Sequence, residues 1–239
     1  MSNVSAVPAV NILRWNIDKA TAEAAGEQSL RVLGDIPAGQ FDGCDTDTAT
    51  WNHRVIQPAT WNDPLRSDPP HIIKQFENQH YTQGLALVVS WGGMARHPER
   101  IYRDGSVESI AHIERTLLSC ANSIRSSHSI EHSWKVLTGN KTEELGWSAV
   151  MASKTLHFLC RSLGYEQNPP VPIDGEVIRK RLWPFFRYSF PFGRRLGNWE
   201  GDDFEAYSRY MTAICTWADQ RQWSTSQMEA TIYKHFNEA

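Results

Sequence analysis

From residue 70 onward apolar side chains recur every three or four positions, the interval that lines up one stripe of an α-helix against a core. Helices are predicted at 71–80, 82–95, 106–126, 128–138, 148–164, 174–187, 202–221 and 224–237. The stripe is plainest at 202–221, where Phe204, Tyr207, Met211, Ile214 and Ala218 share a face and Asp202 and Asp203 suit the positive helix end. Ser224, Thr225 and Ser226 offer caps for the last helix.

Residues 1–70 lack this interval. Pro37, Gly39, Gly43, Pro58, Pro64, Pro69 and Pro70 punctuate short apolar pieces, which predicts extended or irregular wrapping with one short helix near 18–25. Asp18, Glu23, Glu27, Asp35, Asp42, Asp45 and Asp47 outnumber Arg14, Lys19, Arg31 and Arg54, so this part is expected to face away from phosphate. The expected fold class is mainly α: an irregular N-terminal segment, 1–70, packed on a helical domain, 71–239. A chain of 239 residues can bury a substantial core as one compact unit or as two closely packed subdomains.

Composition narrows the classes of function. Ten tryptophans, nine phenylalanines and seven tyrosines exceed what a small core needs, so some rings are expected to line a cleft while most fill the interior. A net charge of −3 excludes a surface coated in positive potential, and a nucleic-acid enzyme of this composition must gather its cations on one face. Arg179, Lys180, Arg181, Arg187, Arg194 and Arg195 do gather, interleaved with Trp183, Phe185, Phe186, Tyr188, Phe190, Phe192 and Trp199. Cations among flat rings suit a surface that grips a nucleic-acid strand. A solvated amphipathic helix beside an aromatic core corner gives the same text.

Cys44, Cys120, Cys160 and Cys215 form no C-x-x-C pair, so no zinc ribbon or cysteine-ligated cluster is encoded and free thiols in a reducing compartment are expected. No stretch approaches the roughly 18 apolar residues of a membrane span, and no leader pattern opens the chain. A soluble cytoplasmic protein is expected. His128 and His132 lack a third ligand, so no metal is expected.

Two runs carry candidate chemistry: Ser153-Lys154-Thr155-Leu156-His157-Phe158-Leu159 and Pro172-Ile173-Asp174-Gly175-Glu176-Val177. Lys154 falls early in an apolar helix, Asn168-Pro169-Pro170 turns the chain back, and Asp174 starts the next helix. Partial desolvation and a nearby positive helix end favour a neutral amine at Lys154, which can attack a sugar C1′ and form a Schiff base. An ionised Asp174 can stabilise an oxocarbenium-like sugar or align a water. The plain alternatives are a solvated lysine and a helix-capping aspartate. His157 reads as a hydrogen-bonded core residue. Trp91-Gly92-Gly93 reads as a helix end whose glycines admit a backbone or a base, or as a simple C-cap.

The spacing of Lys154 and Asp174 resembles that of the helix-hairpin-helix DNA glycosylases, in particular the 8-oxoguanine glycosylase-like branch. There a lysine at the start of the helix after the hairpin is followed, at this same separation, by a Val-Asp or Ile-Asp step. The resemblance spans roughly residues 80–190 and takes in Trp91-Gly92-Gly93 and the helical run from Ser106. Val150-Met151-Ala152 stand where that family has its Gly-Val-Gly turn, and Gly146 lies a little upstream.

The resemblance implies a helical bundle of two packed subdomains and a monomeric enzyme without metal or cofactor. Such an enzyme flips a modified base out of double-stranded DNA and excises it, leaving an abasic site. It implies Lys154 and Asp174 as catalytic residues, Ser153, Arg179, Lys180, Arg194 and Arg195 at the DNA, and Trp91, Gly92 and Gly93 at the base pocket. Two substrates are open: 8-oxoguanine, in repair, or glucosylated hydroxymethylcytosine, as for glycosylases of this branch in phage defence. The divergent hairpin, the unmatched first 70 residues and the abundant tryptophan suit the second. A noncatalytic DNA-binding or partner-binding helical protein is the alternative of another class. A nuclease is disfavoured, since no clustered carboxylates offer to hold paired magnesium ions.

Overall fold

The helix Ala149–Ser162 has almost no outward face, because every side chain from Met151 to Cys160 is buried. A helix enclosed on all sides must lie at the centre of its domain. A computed structural model of the chain describes residues 12–15, 44–45, 66–92, 106–139, 144–173 and 204–238. Within these, the helices are α1 (Pro69–Glu77), α2 (Tyr81–Trp91), α3 (Val107–Ser127), α4 (Glu131–Thr138), α5 (Ala149–Ser162), α6 (Phe204–Arg221) and α7 (Thr225–Glu238). The described strands, β1 (Cys44–Asp45) and β2 (Arg66–Ser67), form one short antiparallel ladder in which Cys44 faces Ser67. The chain is mainly α among its described residues.

Helices α1 to α4 all pack on α5, and α2 is itself buried along most of its length. Helix α6 reaches this group through α4, where Trp134 stacks on Tyr207 with ring centroids 4.3 Å apart. The interior is thus one continuous cluster that includes Leu13, Leu85, Leu117, Trp134, Leu156, Tyr207 and Met228. Cys120, Cys160 and Cys215 are free and buried. No described helix is long and apolar enough to cross a membrane.

Local chemistry sets the helix ends. Asp68 accepts the His71 amide ahead of Pro69 and Pro70, and Ser106 and Ser148 cap α3 and α5 in the same way. Ser224 and Gln227 bond reciprocally at 3.2 and 2.8 Å, forming a capping box for α7. At the other ends, α1, α5 and α6 close through a left-handed residue: Gln79, Gly164 and Gln222. The amides of His80, Tyr165 and Trp223 return to Gln75, Cys160 and Ala218. The expected helix at 128–138 starts late, because His128 is the left-handed cap of α3 and α4 begins at Glu131. The expected helices at 18–25 and 174–187, and Asp202 and Asp203, lie outside the described residues.

From Pro169 to Ile173 the chain is buried without being helix or strand. Its proline-rich composition makes this possible, since Pro169, Pro170 and Pro172 have no amide to satisfy. The remaining groups find partners one by one. Asn168 exchanges two bonds of 3.0 Å with the Leu13 backbone, and its carbonyl accepts from Trp15 Nε1 at 3.3 Å. The carbonyls of Pro169, Pro170 and Val171 accept from Thr225 Oγ1, His157 Nδ1 and the Tyr207 hydroxyl at 2.9, 2.8 and 2.8 Å. The Val171 amide donates to Met211 Sδ, and the Ile173 amide donates to Ser153 Oγ at 3.0 Å.

Two stability measurements check this account. Tyr207→Phe strands the buried Val171 carbonyl and is expected to cost about 1–3 kcal/mol in urea unfolding; an unchanged midpoint contradicts it. Gln79→Gly relieves a side chain held at φ 61°. It should raise the melting temperature by about 2–4 °C, the equivalent of about 1 kcal/mol in a protein this size.

Candidate active site around Lys154

Lys154 is the most unusual residue of α5, a lysine with only 5% of its surface exposed. Its Nζ donates to the carbonyl of Gly92 at 3.2 Å and lies 5.8 Å from the centre of the Trp91 ring. Gly92 is the C-cap of α2, where unpaired carbonyls carry partial negative charge that suits an ammonium. The Trp91 ring meets Phe158 of α5 edge-on at 5.0 Å and 89°, so both helices hold the indole in place. Its face adds a cation–π attraction.

Gly92 leaves the space into which the Lys154 side chain fits closely. Its φ is −77°, open to any residue, but a Cβ would sit 3.0 Å from both Cδ and Nζ of Lys154. Of the two expected readings of this glycine, the C-cap is the one present. The group that approaches Gly92 is the lysine itself.

Helix α5 begins at Ala149, which makes Lys154 its sixth residue. The field of a helix end falls off within the first turn, so of the two expected influences on this amine, burial is the one present. Val150, Met151 and Ala152 are helical and occupy that first turn. The connector between α4 and α5 turns further upstream, at Gly146 with φ 66°, where the Leu145 and Trp147 amides bond back to Val136 and Leu137.

Ser153, expected at the DNA, has no exposed surface. Its hydroxyl donates to the Val150 carbonyl and accepts from the Ile173 amide, both at 3.0 Å, which corrects the phosphate-contact reading to an internal one. The DNA role of Ser153 came only from the resemblance, and the buried partner at Ile173 carries no local signal. Asp174 directly follows the last described residue of this segment. Asp174, Gly93, Arg179, Lys180, Arg194 and Arg195 lie outside the described residues. Lys154, Trp91 and Gly92 are the expected site residues that the structure brings together.

His157 is a hydrogen-bond donor to the Pro170 carbonyl, so the proton resides on Nδ1. Burial pushes its pKa down to about 3, helped by the Arg161 charge and opposed by the bond to Pro170. His128 and His132 do not share a helix, and the His128 Nδ1 bonds the Tyr165 hydroxyl at 2.8 Å. Among the described residues no three His, Cys, Asp or Glu side chains group as metal ligands.

Comparison with protein-family models, curated proteins and solved structures gives no match.

The lowered His157 pKa has a definite sign. Below its ordinary value of 6.5 the unfolded chain takes up a proton that the native chain refuses. The native state therefore loses stability as pH falls from 6.5 toward about 3, by up to about 1.4 kcal/mol per unit. His157→Asn, whose amide can keep the donor to Pro170, should flatten this slope in urea titrations between these limits; equal slopes for both proteins exclude His157 as its source.

Proposed function

We propose that this chain is a DNA glycosylase that extrudes a modified base from double-stranded DNA and cuts its N-glycosidic bond, leaving an abasic site. The observation that carries the reading is the placement of a buried amine beside an anchored chain segment. Lys154 follows Ser153 in α5, and Ser153 holds Ile173, the residue before Asp174. In the proposed reaction Asp174, as carboxylate, stabilises the positive sugar as the base departs or aligns the attacking water. Lys154, as a neutral amine, attacks C1′, or as a cation it holds a phosphate.

Trp91 and Gly92, beside Lys154, with Gly93, form the base pocket in this reading, and Arg179, Lys180, Arg194 and Arg195 neutralise phosphates so that binding offsets the extrusion of the nucleotide. In this reading the helices form a helix-hairpin-helix glycosylase bundle, with the α4–α5 connector as the hairpin. The enzyme acts as a monomer in the cytoplasm, without metal or cofactor. The preferred substrate is glucosylated hydroxymethylcytosine in phage DNA, with 8-oxoguanine as the alternative.

A noncatalytic DNA-binding helical protein is favoured by one observation: the Lys154 amine is engaged by the end of α2, as a structural tether would be. One experiment separates the readings. Purified protein is incubated with unmodified, oxidised and glucosylated DNAs, and released bases are identified by mass spectrometry. Release of one modified base is expected, and Asp174→Asn should slow it roughly 100-fold or more without changing the melting temperature. DNA binding without release from any of the three supports the noncatalytic reading instead.

A further inference from the structure

We propose that Ser153 is a positioning residue of the candidate site: as acceptor for the Ile173 amide, its hydroxyl fixes the distance between the Lys154 turn of α5 and the chain leading into Asp174. The catalytic consequence rests on the glycosylase reading above. The anchor itself does not.

The hydroxyl of Ser153 has one proton, and the Val150 carbonyl takes it at 3.0 Å. That bond aims the oxygen lone pairs away from Val150, and the Ile173 amide meets the oxygen at 3.0 Å. Ser153 is fully buried and Ile173 is 3% exposed, so water does not stand ready to replace the bond. A buried amide deprived of its acceptor moves until it finds another.

The next anchor back along the chain is Val171, held by Met211 Sδ and the Tyr207 hydroxyl. Without Ser153 the last hydrogen-bonded point before Asp174 retreats by two residues, and each residue spans up to about 3.3–3.6 Å. Pro172 stiffens the intervening step without supplying a donor. A misplacement of about 1 Å is enough to slow a reaction on the order of 100-fold, so this slack matters to any chemistry shared by residues 154 and 174. Ser153 differs in this from an ordinary core serine, whose hydroxyl serves only its own helix.

The test uses full-length wild type, Ser153→Ala and Ser153→Thr, with two readouts. The first is hydrogen exchange at the Ile173 amide, followed by NMR. The second is the single-turnover rate of base release from glucosylated and oxidised DNA, set beside DNA affinity. Ser153→Ala should exchange at least roughly tenfold faster at Ile173 and release base roughly tenfold to 100-fold more slowly, with DNA affinity unchanged. Ser153→Thr, which keeps the hydroxyl, should restore both. If Ser153→Ala does not fold, Ser153→Cys carries the comparison, since sulfur is a similar shape and a weaker acceptor. Unchanged Ile173 protection overturns the anchor, and a full rate of base release despite lost protection overturns the positioning role. If wild type releases no base, the glycosylase reading fails separately and the exchange measurement still decides the anchor.

Discussion

Backbone that is buried without being helix or strand must have its polar groups answered individually. Residues 169–173, with Asn168 at their edge, impose that demand on this fold, and the answers come from α5, α6, α7 and the stretch around Leu13 and Trp15. The Leu13 backbone and Trp15 serve one end, α7 supplies Thr225, α6 supplies Tyr207 and Met211, and α5 supplies His157 and Ser153. The elements around the segment are thereby fixed to one another as well as to it. Three prolines reduce the number of amides to be matched.

The same demand accounts for Ser153 and His157 in α5. A central helix buried all round would ordinarily be apolar, yet this one carries Ser153, Lys154, Thr155 and His157 in its interior. Ser153 and His157 serve the irregular segment, and Lys154 serves the end of α2. In each case one partner is backbone outside the regular part of a helix. The candidate chemistry therefore sits where α5 meets both the end of α2 and the irregular segment, and a reactive role for Lys154 would require its amine to leave the Gly92 carbonyl.

The helices were readable because their signals are local: apolar spacing, serine or aspartate at the start, and a turn residue at the end. Ser224 announced its cap, and the stripe from Phe204 to Ala218 announced α6. His157 was legible as a core residue because its neighbours are apolar. The irregular segment was not legible, since Asn168-Pro169-Pro170 reads as an exposed turn and its partners lie as far away as Leu13. Ser153 was misjudged for the same reason: its decisive partner is twenty positions along the chain. Lys154 could be singled out by its setting, while its bond to Gly92 spans 62 positions and leaves no trace in the local pattern.

The pairing of Leu13 with Asn168 also has a bearing on the order of assembly. The two residues are separated by 155 positions, so on the ribosome the first must wait for most of the polypeptide before its seat exists. The seat is then finished only by α6 and α7, which lie later still in the sequence. Contacts so distant in sequence slow folding. The interior therefore closes only after α6 and α7 have been made, and until then the apolar faces of the earlier helices stay open to water and to chaperones.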